Sequence, residues 1–137
     1  MKRFFLILAV VVTTPVVSAV FKNVSPYVIS EAQAYREGDP RLDRWLGVRT
    51  RVVRWCGVYL AKIVKSPPRG YASVDAWKRW GKRVTCRPGA VAVFRHRHVG
   101  LVTATRKGHI RVKSGNDGNA IKDRWRRAST IRECRSK

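Results

Sequence analysis

Apolar positions along the chain change their spacing from one stretch to the next. From Phe4 to Val20 they run nearly unbroken, with no charged residue among them. Between residues 40 and 80 they recur every third or fourth position, the period of one buried helix face. From Pro88 onward they gather in short β-branched runs, as strands do.

These spacings predict a set of elements. Ile29 to Arg36 reads as a short helix. Asp39-Pro40 supplies an N-cap followed by proline at the first helical position, opening a second helix through Leu46. Leu42, Trp45 and Leu46 share its buried face. The strongest helical signal follows Arg54, where Trp55, Tyr59, Leu60, Ile63 and Val64 recur while Lys62 and Lys65 face away. The segment "SPPRG" (66–70) ends it, because proline cannot continue the ladder. Ser73 caps a short helix from Val74 to Trp80, with Asp75 near its start and Gly81 as its stop. The runs "AVAVF" (90–94), "VGLVTAT" (99–105) and "HIRVK" (109–113) predict strands, the last two joined by the turn "RKG" (106–108). Residues 121–125 and 131–134 are weaker strand candidates. Helices followed by an antiparallel meander make an α+β fold, with the N-terminal helices packed on one side of a small antiparallel β-sheet.

The first block changes the domain picture. Lys2 and Arg3 precede the apolar run, Pro15 breaks it, and Val17-Ser18-Ala19 places small side chains before a cleavage position. Residues 1–19 therefore read as a signal peptide, which makes the protein secreted or periplasmic. Uncleaved, the segment would be an N-terminal anchor, although its length is marginal for about 30 Å of hydrocarbon. Residues 20–38 form a lead-in and residues 39–137 a single domain, expected to be a monomer.

Charge then narrows the partners. Lys and Arg number 30 against 8 Asp and Glu, a net charge of +22 that falls to +20 once Lys2 and Arg3 leave with the signal. Such an excess favours polyanions: peptidoglycan-associated or other anionic envelope polymers, an anionic membrane surface, or nucleic acid. Export puts the envelope ahead of nucleic acid. The cysteines, Cys56, Cys86 and Cys134, show no CxxC spacing, and no HExxH is present, so neither a metal nor an organic cofactor is expected. Cys86 lies just before the first strand and Cys134 in the last; if those strands are neighbours, a disulfide closes a long loop, and otherwise both remain thiols.

Candidate chemistry centres on Cys56, in the first turn of the best helix. A helix N-terminus favours thiolate over thiol. His98 opens a strand that could present an imidazole to that sulfur as general base. Asn116, after the next strand, could orient the ring through its far nitrogen. His96 is the rival base and Asp117 the alternative orienter; His109 is expected to be exposed. Trp77 and Trp80 read as core in preference to a sugar-stacking platform.

The motifs "RWCGVYLAKIV", "ASVDAWKRWGK", "RPGAVAVFRHRHVGLVTA" and "VKSGNDGNAI" together resemble the small cysteine hydrolases of the NlpC/P60 and CHAP type. The likeness is to the compact branch with Trp-Cys early and Gly-His-Val-Gly later, and it covers about residues 39–135. It implies a papain-like α+β fold and cleavage of peptidoglycan peptide or amide bonds. On it, Cys56 matches the nucleophile, His98 the base and Asn116 the polar third residue. Ala90 stands where these families usually carry Asp after Pro-Gly, and Ser114 replaces the first glycine of Gly-Gly-Asn. The stretch before Trp-Cys is basic where related sequences often carry an acid. The expected function is an exported cell-wall hydrolase with a Cys-His-Asn thiol mechanism. The alternative is a basic exported binding protein for wall polymer or nucleic acid without turnover, using "DRWRR" (123–127) for stacking and phosphate contact.

Overall fold

The capping signals around residue 40 set the first element of the structure, a computed structural model that describes residues 35–137. The expected signal segment, the lead-in to residue 34 and most of the Ile29–Arg36 helix lie outside the described residues. The described end of that helix is not helical: Arg36 forms an isolated β-bridge with Ala120, and the Glu37 N–H donates to the Asn119 carbonyl at 2.8 Å. A short helix gains little by itself in water, whereas an extended segment here gains backbone partners.

Helix α1 (Pro40–Leu46) begins where expected, with Asp39 Oδ1 accepting from the Arg41 N–H and Gly47 closing it at φ 74°. Its Leu42 and Leu46 pack with Trp55, Val58 and Tyr59. Helix α2 (Cys56–Ile63) follows and α3 (Val74–Lys78) is shorter than its pattern suggested, because the backbone leaves the helix at Arg79. Both Trp77 and Trp80 are core: their indole N–H groups donate to Tyr71 O (2.7 Å) and Ser66 O (2.9 Å), and the rings meet edge to face.

Six antiparallel strands form one sheet in the order β1-β6-β2-β3-β4-β5. They are β1 (Lys82–Val84), β2 (Val91–Phe94), β3 (Val99–Arg106), β4 (His109–Ser114), β5 (Lys122–Arg127) and β6 (Ile131–Ser136). The fold is thus α+β, as expected, with one strand the hydrophobic pattern did not announce. Strand β1 is three residues long and two of them are exposed, so it carries no apolar run to betray it.

Strand β2 alternates between two interiors. Val91 and Val93 meet Leu60, Trp77 and Trp80 on the helical side. Ala92 and Phe94 face the other way, onto Val102, Ile110, Val112, Ile131 and Cys134. No helix among the described residues covers this second side; the strands cover one another. Connectivity explains how. Only the 3₁₀ turn Ala128–Thr130 links β5 to β6, yet in the sheet four strand spacings separate them. A flat sheet would need roughly 19 Å for that step, while four residues reach at most about 14 Å. The sheet must therefore curl. A bulge at Val102/Ala104 turns β3, and Arg126 of β5 lies over the Phe94 ring of β2 at 5.9 Å.

Cys86 and Cys134 form a disulfide with Cα atoms 5.1 Å apart, tying the segment after β1 to β6. It closes a loop of sequence separation 48, which in the chain-entropy account is worth about 4 kcal/mol. Replacing both cysteines by alanine is expected to lower the unfolding free energy in urea by that order. A loss under about 1 kcal/mol would show that the sheet closes without the bond.

Candidate active site

The N-terminus of α2 is brought to the sheet by two close approaches. A Cβ on Gly57 would collide with the Tyr71 carbonyl, so only glycine lets the first turn settle beside that loop. At the end of β4, a Cβ on Gly115 would lie 2.6 Å from Tyr59 Cβ and 2.7 Å from Trp55 Cζ3. The missing side chain at Gly115 lets the β4–β5 loop meet the start of α2, and the one at Gly57 lets the segment at Tyr71 and Ala72 pack on that same turn. Trp55 is completely buried at this junction, and its indole N–H has no partner there.

What converges is a cleft of about 400 Å³ lined by Cys56, His96, His98, Asn116 and Asp117. All three residues expected to carry the chemistry, and both of their rivals, are thus in one place. Cys56 is the sole free thiol and is 3% exposed. His98 is also buried; its carbonyl accepts from the Phe94 N–H at 2.9 Å, which closes the hairpin loop just ahead of β3. Its Nε2 is buried without a hydrogen-bond partner. His96 sits on the outer side of the loop, exposed, with its ring stacked on that of His98 at 6.0 Å. Asn116 is half-buried in the left-handed conformation (φ 54°), which asparagine tolerates better than most residues. It makes no side-chain hydrogen bond to His98. His109, expected to be exposed, is half-buried at the far end of the β3–β4 hairpin.

Asp117 is buried and already committed. Arg124 grips both of its oxygens, and Arg126 donates to Oδ2 at 2.6 Å. Burial by itself would raise this carboxyl, but the two guanidiniums outweigh it and hold it below its ordinary value. The carboxylate also acts through space on His98.

Electrostatics correct one expectation. The start of α2 does not leave Cys56 as a favoured thiolate: burial pushes the thiol above its ordinary value. The N–H groups of Val99, Gly57 and Cys56 and the charge of Arg54 oppose that shift without cancelling it. Burial likewise lowers His98 to about 4; Asp117 works against this, while His96, Arg126 and Arg124 add to it. At neutral pH the resting site is a neutral thiol beside a neutral imidazole. That is the protonation state in which the imidazole can take a proton, and an acceptor for the Nε2–H would raise its basicity.

Arginines are the part of the site that residue-by-residue reasoning missed. Arg54, Arg97, Arg124 and Arg126 all line the cleft. The period-two spacing of Arg124 and Arg126 on one strand face was the available signal, hidden inside a segment read as a nucleic-acid contact. In that segment Trp125 is covered by the Arg106 guanidinium, 4.2 Å from the ring centroid. Among the described residues no group of three or more His, Cys, Asp or Glu side chains is arranged to hold a metal ion, and no helix is long and apolar enough to cross a membrane. In comparisons with known proteins, the chain matches no family model, no curated protein and no solved structure.

Burying a neutral His98 has a consequence for acid stability. The unfolded imidazole binds its proton near 6.5 and the folded one only near about 4, so acidification between those values favours unfolding. Between pH 7 and 4.5 this group is expected to remove about 2 kcal/mol of stability. Urea titrations at both pH values should show an acid loss smaller by about that amount in His98→Gln. An unchanged loss would mean that His98 is solvated in the folded protein.

Proposed function

We propose that this chain is an exported cysteine hydrolase of peptidoglycan, a papain-like enzyme of the NlpC/P60 or CHAP kind. The observation that carries the proposal is the meeting of Cys56, His98 and Asn116, from three separate elements, in one cleft where His98 Nε2 is buried and unpartnered. A helix-borne cysteine packed against an antiparallel sheet that carries the histidine supports the same assignment.

In the reaction, His98 takes the Cys56 proton as Sγ attacks the carbonyl carbon of a stem-peptide or lactoyl amide. The negative oxygen that forms is stabilised by backbone N–H groups, that of Cys56 being the natural first donor at a helix start. Collapse breaks the C–N bond, and His98 returns the proton to the leaving amine. Water, deprotonated by His98, then attacks the thioester, releasing a carboxylic acid and the Cys56 thiol. Asn116 orients the imidazole by accepting from Nε2–H through its side-chain oxygen once substrate is bound, which leaves the other ring nitrogen free to take the thiol proton; Asp117 contributes through its field, since its oxygens are held by arginine. No metal or organic cofactor takes part. A signal over residues 1–19 delivers the chain to the envelope, and its surplus of positive charge concentrates it, as a monomer, on anionic wall polymer or membrane surface.

A second assignment, a basic exported protein that binds wall polymer or nucleic acid without turnover, is favoured by the same charge excess. The covered face of Trp125 weighs against base stacking there. A zymogram on purified peptidoglycan separates the two. The hydrolase clears the gel, Cys56→Ala loses turnover by about 10³-fold or more, and His98→Gln loses about 10²–10⁴-fold. Clearing by both wild type and Cys56→Ala, or by neither, would contradict a thiol hydrolase.

A further inference from the structure

The cleft around Cys56 holds four guanidiniums against one carboxylate. Arg124 and Arg126 are spent on that carboxylate, Asp117. Arg54 and Arg97 are different. Both are exposed, and neither has an ion pair or hydrogen bond among the described residues. Arg97 lies within the field of Asp75, but that side chain is bonded to Lys78 at 2.6 Å. By position the two bracket the chemistry: Arg54 stands two residues before the thiol and Arg97 immediately before His98. His98, more than nine-tenths buried with Nε2 unpartnered, marks the same cleft as one built to receive a ligand.

We propose that Arg54 and Arg97 recognise a free carboxylate on the substrate close to the scissile bond, so that the enzyme selects acidic peptides over their amidated forms. The inference rests on the hydrolase proposed above and names its substrate class. Planar guanidinium forks match carboxylate geometry, and at an exposed rim they bind it with little desolvation cost. The basic stretch before Trp-Cys, where related sequences often carry an acid, thereby acquires a role. Arg124 and Arg126 are excluded from it, because drawing them away would strand Asp117 as a buried, unpaired charge.

The test uses the full chain with its disulfide intact, in which Cys56 is the only thiol. Iodoacetate and iodoacetamide alkylate by the same step: Sγ forms a bond to the methylene carbon as the C–I bond breaks and iodide leaves. They differ in one negative charge. Relative to the ratio measured on glutathione, Cys56 is expected to favour iodoacetate by about tenfold. The preference should fall towards the glutathione value in Arg54→Gln/Arg97→Gln, two surface substitutions, and in wild type at 1 M salt. A glutathione-like ratio in wild type, a preference untouched by the double variant, or no modification by either reagent would overturn the proposal. A second arm compares stem peptides bearing free and amidated carboxyls next to the cleaved bond, with the free form cleaved about tenfold faster. Wall digestion without any carboxylate preference sinks this inference alone. An iodoacetate preference without wall digestion sinks the hydrolase and leaves the anion site standing.

Discussion

Everything at the site depends on how closely the first turn of α2 can approach the sheet. Gly115 ends β4 directly against Trp55 and Tyr59, and Gly57 lets the helix start press on the backbone at Tyr71. Either position with a side chain would force a shift of about an ångström or a distorted backbone, and overpacking of this kind costs about 1–3 kcal/mol. Because the contact is made by large, fully buried groups, it fixes Cys56 from behind. The loop following Gly115 carries Asn116 and Asp117 into the same cleft as Cys56. A curled sheet completes the arrangement by bringing β5, with Arg124 and Arg126, over the opposite interior.

That tight packing also sets the electrostatics. Removing Cys56 and His98 from water disfavours both charged forms, and the helix start and neighbouring N–H groups are too weak to reverse it for the thiol. The resting site is therefore uncharged at its centre and ringed by arginine. Asp117, held below its ordinary carboxyl value by two guanidiniums, gives the ring a negative field.

Local chemistry made much of this legible. Asp39-Pro40 announced the start of α1, the apolar spacing carried it through Leu46, the run after Arg54 announced α2, and the β-branched runs announced β2, β3 and β4 to within a residue or two. Cys56, His98 and Asn116 were found by their order along the chain, before any geometry, and the Cys86–Cys134 bond was a conditional expectation that the β1–β6 and β2–β6 pairings fulfil. Other features are long-range and left no local mark. Strand β1 is three residues long and packs only Val84 against the core, too little to show as an apolar run. Tyr35 and Arg36 looked helical until the bridge to Ala120 offered an extended alternative. The position of Cys56 in α2 was readable, but the depth of its burial was not, and burial decides its proton affinity. The arginine ring was invisible because arginines are scattered along the whole chain, and only the tertiary fold brings Arg54, Arg97, Arg124 and Arg126 to one cleft.

The central claim is that Cys56 and His98 work as a nucleophile and its proton partner. A stem peptide with a vinyl sulfone in place of the scissile amide tests it most directly, because addition of Sγ to the alkene must be accompanied by protonation of the neighbouring carbon. Intact-mass kinetics should show one adduct per chain, mapped to Cys56, forming at least about a hundredfold more slowly in His98→Gln. Labelling that His98→Gln leaves undiminished, or an adduct elsewhere than Cys56, would contradict the account.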